Sequence, residues 1–326
     1  MKISASPIAV GLCLVLSVAS AVGQGPTPTT AATPPVVVGM KAKPPTVIVS
    51  VAPLRGLVEP MLIDAGWAKP GDVKTLIPPG VSEHGYEIPP STLATLSRAD
   101  IVLLVGIGLE PQVEKFLKDR PRPQRRVLIA GDELGMKADA EHEHHDHDGD
   151  GECDHEHGAA DPHVWLDPLL AEKLVPAIAL ALIAHAGEDA AAVQSIRLAE
   201  AAMLSRVRAV HDDYRTTLAK AKTRTLVVGH DAWGHLASRY DLKTVAIKGL
   251  TATEPTPSSL AAATTAIREQ GARAVFVEPQ LNQRAGRRIA RSTGVPVLVI
   301  DPLGDGDWVK LMQSNLAQLA KGLGVE

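Results

Sequence analysis

The sequence contains few aromatic residues, few cysteines and no excess of positive charge, and each shortage excludes a class of protein. Phe, Trp and Tyr make up 3% of the 326 residues, which leaves little surface for stacking the bases of single-stranded nucleic acids. The formal net charge of −4 offers no basic surface of the kind that binds a phosphate backbone. Hydrophobic residues make up 45% of the chain, so we predict a globular protein with a substantial core and no nucleic-acid partner.

The first 23 residues have the pattern of a secretory signal peptide. Lys2 supplies the positive charge, residues 8–18 form the apolar segment, and Ala-Ser-Ala at 19–21 is a small-residue cleavage site. The apolar segment is short for a membrane span. We therefore expect export to the periplasm and cleavage near Val22 or Gln24.

The two cysteines predict a mature protein without an intramolecular disulfide. Cys13 lies inside the apolar segment and follows Leu12, where a bacterial lipoprotein would have a small residue, so we expect cleavage rather than lipidation. Cys153 is then left without a partner.

Strand patterns alternate with helical patterns along most of the chain, which predicts α/β lobes with parallel sheets. The β-branched run TVIVSVAPL at 46–54 is typical of a buried parallel strand. The same alternation of strand and helix patterns occurs later in TLVVGHDAWGHLASRY, which we interpret as strand, turn and helix. We predict two Rossmann-like lobes with these boundaries: a Pro/Thr-rich tether at 24–45, an N-terminal lobe at 46–188, a linking helix at 189–221 and a C-terminal lobe at 222–326.

The predicted linking helix is unusually long. No Gly or Pro interrupts residues 189–221, and apolar residues recur there at intervals of mostly three or four. A single helix of this length would span roughly 45–50 Å. We therefore expect a rigid strut between the lobes, with a ligand site in the cleft.

A polar run within the first lobe, Glu141–His157, consists only of His, Asp, Glu, Gly and Cys. It holds eight acidic and no basic residues, so the rest of the chain carries +4 by subtraction from the net −4. We interpret it as a weak accessory metal-binding segment in a disordered loop over 139–160. The spacing of its aspartates resembles a calcium loop, but its twelfth position is not Glu; an inert charged run is the other alternative. The histidines of the run are His142, His144, His145, His147, His155 and His157.

Three other histidines and one aspartate are candidates for a single tight metal site. His84 and His230 follow or end predicted strands, His163 follows the polar run, and Asp301 ends the last strand. In open α/β sheets, ligands bind beyond the carboxyl ends of the strands. Three imidazoles and one carboxylate suit Zn²⁺, whereas a manganese site would have more oxygen donors. Glu83 is the alternative fourth ligand.

Structural roles compete with this interpretation. A single histidine is more often a capping or satisfied core residue than a ligand, and we assign His185, His211 and His235 to that class. Asp301 precedes Pro302 and is also suited to starting a turn. Glu278 precedes a proline too, and we interpret it as a turn residue or a partner of a ligand.

The ordered motifs SEHGYEIPPS, DPHVWLDP, VVGHDAWGHLASRY, VFVEPQ and IDPLG resemble the signatures of the metal-binding proteins of bacterial ABC importers. The similarity is closest to the periplasmic zinc-binding (ZnuA-like) type and covers nearly all of 46–325. It implies two α/β lobes joined by a long helix, with the metal in the cleft. By this resemblance, the three histidine ligands of the family correspond to His84, His163 and His230. The fourth ligand stays open between Asp301, Glu83 and water. The manganese members have Glu where His230 stands.

The resemblance implies a monomeric binding protein that is not an enzyme. Its cargo would be Zn²⁺, which it would deliver to a membrane permease. Two alternatives remain at this stage. A secreted zinc hydrolase would keep one coordination position open for water, although no HExxH motif occurs. A soluble zinc buffer without a permease is the other.

Overall fold

Two four-stranded parallel sheets, each flanked by helices, form the part of the chain that the computed structural model describes, residues 40–136, 160–252 and 254–325. These residues all belong to one compact unit. The strands are β1 (Val47–Val49), β2 (Lys74–Thr75), β3 (Ile101–Leu104), β4 (Arg126–Ile129), β5 (Thr225–His230), β6 (Lys243–Lys248), β7 (Val275–Val277) and β8 (Val297–Val299). The helices are α1 (Ala52–Asp64), α2 (Pro90–Thr95), α3 (Pro111–Asp119), α4 (Ala130–Glu133), α5 (Pro168–Ala186), α6 (Ala190–Leu218), α7 (Gly234–Arg239), α8 (Pro257–Arg268), α9 (Arg284–Thr293) and α10 (Trp308–Leu323).

Both sheets have the predicted parallel arrangement, so the α/β class with two lobes is confirmed. The first has the order β2-β1-β3-β4 and the second the order β6-β5-β7-β8. The central strands β1, β3 and β7 are buried at every residue, as their β-branched and aliphatic composition requires. In both sheets the central strands end at the carboxyl edge of the sheet. Ligands bind beyond this edge in folds of this type.

The predicted long helix is present as α6, which has 29 residues and a length of about 43 Å. Gly187 ends α5 with a φ of 62°, and the Asp189 carboxylate then accepts hydrogen bonds from the first N–H groups of α6. One face of α6 is buried against α1, α5 and α10. Its buried side chains are Ala192, Ser195, Ile196, Ala199, Met203, Val207, Val210, Tyr214 and Leu218.

Helix α5 is apolar around most of its circumference. By length and composition alone it would be able to cross a membrane, with a mean hydropathy of 1.7. Half of that window is buried inside the protein, where α5 packs against α6 and α1. The apolar composition is therefore accounted for in large part by core packing.

One hydrophobic cluster of the core connects the two sheets. It includes Val49 from the first sheet, Phe276 from the second, and the α6 side chains between them. Two tryptophans reinforce this core, because the Trp165 indole donates to the Pro302 carbonyl at 2.7 Å and the Trp308 indole donates to the Trp165 carbonyl at 2.8 Å. Continuous packing of this kind resists hinge motion between the lobes.

Candidate metal centre

The four side chains Glu83, His84, His163 and His230 converge in the cleft between the sheets. Each offers one ligand atom, and these atoms all lie within 4.8 Å of one another. Glu83 and His84 belong to the loop between β2 and α2, His163 precedes a short 3-10 helix at Val164–Leu166, and His230 is the last residue of β5. Three separate segments of the chain thus supply the cluster.

The distances from His163 Nε2 to the other three ligand atoms match those of a tetrahedral zinc shell. His163 Nε2 lies 3.2 Å from His84 Nε2, 3.4 Å from His230 Nε2 and 3.2 Å from Glu83 Oε1. His84 Nε2 lies 3.9 Å from the same Glu83 oxygen. Zinc bonds of about 2.0–2.1 Å place tetrahedral ligand atoms about 3.3 Å apart. The cluster is therefore close to the size that Zn²⁺ needs.

The cluster is almost completely removed from solvent. His163, His230 and Glu83 are 0%, 1% and 3% exposed, whereas the His84 side chain is 10% exposed. Burial strengthens the attraction between a carboxylate and a bound cation, because the effective dielectric constant is lower than in water. His84 has the most exposed side chain of the four, so solvent reaches the cluster at His84.

Two of the histidines are held by carboxylates on the side away from the cluster. His163 Nδ1 donates to Asp161 Oδ1 at 2.7 Å, and His230 Nδ1 donates to Glu278 Oε2. A hydrogen bond from Nδ1 directs Nε2 into the cluster, where Nε2 is able to bind a metal ion once it carries no proton. Both imidazoles are thus oriented as metal ligands.

The charges of the cluster stabilise one another. Burial alone would raise the pKa of Glu83, but the hydrogen bond with His163 and the positive charges of His163 and His84 lower it to about 2. Burial lowers the pKa of His84 to about 4, and the neighbouring imidazoles add to this effect. Burial also opposes the charge of His163, yet its hydrogen bonds to Asp161 and Glu83 raise its pKa to about 9. These neighbours favour a positive charge on His163, which lies between the carboxylates of Asp161 and Glu83.

Glu83, and not Asp301, supplies the carboxylate of the cluster. The Asp301 Oδ1 atom accepts hydrogen bonds from the Gln280 side chain at 2.7 Å and from the Leu303 and Gly304 N–H groups at 2.9 Å. Asp301 thus caps the turn that follows β8, which is the structural role that its position before a proline also favoured. Of the two carboxylates considered for the fourth ligand, the structure brings Glu83 into the cluster.

The histidines assigned to structural roles have such roles. His185 donates to the Lys43 carbonyl at 3.0 Å, His211 pairs with the Tyr240 hydroxyl at 3.0 Å, and His235 donates to the Asp161 carbonyl at 2.9 Å. The predicted accessory segment with its six histidines, including His142 and His157, lies outside the described residues. The same holds for Cys153 and for the predicted signal peptide.

Asp161 is the functional residue that the sequence analysis missed. It stands two residues before His163 in the Asp-Pro-His sequence and accepts both the backbone N–H and the Nδ1–H of that histidine. An aspartate at this spacing forms a hydrogen-bonded turn with its own backbone two residues on. The two-residue spacing between Asp161 and His163 is the sequence feature from which this contact was predictable.

Comparisons with known proteins agree with this geometry. The model of the family described as ZnuA, zinc-uptake complex component A, periplasmic, matches residues 47–322. The zinc-binding lipoprotein AdcA of Streptococcus pneumoniae is 29% identical over 265 residues, which are 76% of this chain and 50% of that protein. The chain therefore spans about half the length of this relative.

Two further proteins match over most of their own length. The high-affinity zinc uptake system protein ZnuA of Bacillus subtilis is 30% identical, and the match covers 78% of this chain and 81% of that protein. A crystal structure of ZnuA superposes with a TM-score of 0.69 at 26% identity, and covers 87% of this chain and all of that one, at 100%. The similarity extends over both sheets and the helices between them.

Proposed function

The chain belongs to the family of periplasmic zinc-uptake components, and on that premise we propose that it captures Zn²⁺ outside the inner membrane and delivers it to the permease of an ABC importer. The observation that carries the proposal is the buried cluster of three imidazole nitrogens and one carboxylate oxygen. This donor set suits Zn²⁺, which accepts nitrogen and oxygen ligands in a tetrahedral shell. The names of the relatives AdcA and ZnuA support the same cargo.

The number of ligands favours transport over catalysis. Catalytic zinc keeps one position for water, which the ion activates as a nucleophile. In this proposal Glu83 fills the fourth position, because its Oε1 atom lies 3.2 Å from His163 Nε2 and 3.9 Å from His84 Nε2. A closed protein shell holds the ion without activating water, as a carrier requires.

The wider organisation follows from the same proposal. We propose an exported monomer with its signal peptide removed, whose lobes at 46–188 and 222–326 are held by the linking helix at 189–221. The partner is a membrane permease, and the cargo leaves through the cleft. The continuous core between the sheets supports modest rather than wide movement of the lobes during delivery.

The proposal predicts that the cluster alone provides tight zinc binding. In the double variant His84→Ala and His163→Ala, we expect zinc affinity to fall by more than ~100-fold, because two of four ligands are lost. Competition against a chromophoric chelator measures this. The control is His211→Ala, whose imidazole pairs with Tyr240 outside the cluster and which should bind zinc as the unmodified protein does. Tight binding retained in the double variant would refute the cleft assignment.

A further inference from the structure

Glu278 lies behind His230, and three hydrogen-bond donors contact its carboxylate. It follows β7 directly and is 1% exposed. Its Oε1 atom accepts from the Trp233 indole N–H at 3.3 Å and from the His230 backbone N–H at 3.4 Å, and its Oε2 atom accepts from His230 Nδ1. Both oxygens are thus occupied, and each faces a donor.

The position leaves Glu278 little freedom to rearrange. A Cβ atom added at Gly229 would lie 3.4 Å from Glu278 Oε1, so the β5 backbone passes close to the carboxylate. The indole N–H and the backbone N–H are fixed donors that never act as acceptors. The imidazole is the one neighbour that is able to change, because its proton occupies either ring nitrogen.

From this arrangement we infer that Glu278 is a positioning residue that selects the metal-binding tautomer of His230. Its Oε2 atom keeps the proton on Nδ1, and the Nε2 lone pair then faces the Zn²⁺ ion. The inference rests on the proposed zinc site. The inference requires that both terminal atoms of the side chain at position 278 act as hydrogen-bond acceptors. A glutamate has two acceptor oxygens, whereas a glutamine has one oxygen and one NH₂ donor.

Asp161 holds His163 in a different way and provides a matched comparison. A single oxygen, Asp161 Oδ1, accepts both the Nδ1–H of His163 at 2.7 Å and its backbone N–H at 2.9 Å. The other oxygen lies 3.7 Å from His235 Nε2. An asparagine at position 161 keeps the Oδ1 acceptor and therefore keeps the His163 tautomer.

Glutamine at position 278 is unable to accept hydrogen bonds from all three donors that contact Glu278. If its oxygen stays with the two fixed donors, its NH₂ group faces His230 Nδ1. The imidazole then moves its proton to Nε2, where it blocks the metal. Turning the amide around is worse, because the NH₂ group would face two fixed N–H donors. An alanine at position 278 leaves room for water, which accepts from Nδ1 and imposes no tautomer.

The test compares zinc affinity in Glu278→Gln, Glu278→Ala and Asp161→Asn by chelator competition. We expect Asp161→Asn to lose less than ~10-fold, Glu278→Ala to lose about 10-fold, and Glu278→Gln to lose about 100-fold or more. Urea unfolding of the metal-free proteins should give a different order, with the truncation to alanine least stable. If glutamine binds zinc as well as or better than alanine, tautomer selection by Glu278 is refuted.

A second measurement does not depend on zinc. In the metal-free protein labelled with ¹⁵N-histidine, long-range ¹H–¹⁵N spectra at alkaline pH distinguish the two neutral tautomers of His230. We expect the proton on Nδ1 in the unmodified protein and on Nε2 in Glu278→Gln. Nδ1 protonation in both proteins would overturn the inference. Failure of the unmodified protein to bind zinc, with the tautomers as expected, would instead reject the proposed function.

Discussion

Glu83 and Asp301 are chemically similar residues that the fold places in different surroundings. Glu83 Oε1 faces His163 Nε2 at 3.2 Å, whereas Asp301 Oδ1 is occupied by Gln280 and two backbone N–H groups. Among the described residues, the carboxylate that lies within the cluster is therefore that of Glu83. The assignment of the fourth ligand depends on this difference.

Matched amide substitutions distinguish the roles of Glu83 and Asp301 in zinc binding. Glu83→Gln removes the negative ligand charge and keeps the shape, so zinc affinity should fall at least ~10-fold. Asp301→Asn keeps the Oδ1 acceptor of the turn and should leave zinc affinity within about twofold. Chelator competition measures both. A larger loss for Asp301→Asn than for Glu83→Gln would assign the fourth ligand to Asp301.

Glu110 is a buried carboxyl outside the cluster, and its raised pKa predicts that folding stability depends on pH. It lines a cavity of about 340 Å³ together with Glu83. Burial raises its pKa to about 7, although the Val105 and Gly106 N–H groups favour its charged form. Between pH 4.5 and 7 the folded protein keeps a proton that the unfolded chain releases. The contribution of Glu110 to the free energy of unfolding therefore falls as pH rises through this range, by at most about 3 kcal/mol.

The variant Glu110→Gln should lose this pH dependence. Urea unfolding of the metal-free protein between pH 4.5 and 8, compared with the unmodified protein, isolates the contribution of one residue. The control is Glu87→Gln, because Glu87 is an exposed glutamate that lines the same cavity. A difference between the Glu110 variant and the unmodified protein that stays constant with pH would contradict the buried, proton-holding state.

At the scale of elements, α1 and α10 meet through a glycine. A Cβ atom added at Gly56 would lie 2.3 Å from the Trp308 backbone nitrogen and 2.7 Å from its Cβ atom. Backbone atoms of a packed helix cannot move aside cheaply, so the two helices would have to separate. This contact joins a helix of the first lobe to a helix of the second.

The substitution Gly56→Ala should destabilise the protein by about 1–3 kcal/mol, the usual cost of overpacking, as measured by urea unfolding. Gly286→Ala in α9 is the matched control, because its added Cβ would meet only side-chain atoms, the nearest at 3.0 Å. We expect the control to lose less stability. Equal losses would mean that the α1–α10 contact is not a rigid point of the fold.

Regular elements were predictable from the sequence because their periodicity is local. The absence of Gly and Pro across 189–221 predicted α6, which is observed at Ala190–Leu218. The segment VKTLIP at 73–78 also has the composition of a strand, but only Lys74–Thr75 forms one, as β2. This strand lies at the edge of its sheet, where a ladder on one side alone supports it.

The site was predictable only where a strand end fixes the position of a residue. His230 ends β5, and the rule for parallel sheets places such residues at the ligand edge. The choice between Glu83 and Asp301 depends on how a loop and a turn direct their side chains, which spacing does not encode. The role of Asp161 depends on a hydrogen bond to an imidazole that the fold places in the cleft.

At the scale of the whole molecule, the described residues pack as one frame around the cluster. The core between the sheets is continuous, and the cluster is complete within residues 83–230. The accessory segment Glu141–His157 interrupts the described chain between Met136 and Ala160. Since none of the four clustered residues belongs to it, we propose that the segment collects extra ions and contributes no ligand to the tight site.

Deleting 141–157 should therefore lower the zinc stoichiometry and leave one tight site with unchanged affinity. The segment carries six of the twelve histidines and eight acidic residues, which supply weak ligands without a fixed geometry. Metal analysis after dialysis counts the ions, and chelator competition measures the tight site. A variant of full length with these six histidines changed to glutamine separates loss of ligands from loss of chain length, and should behave like the deletion. Loss of the tight site in either variant would show that the segment contributes to the cluster, and the division into a collector and a fixed site would be wrong.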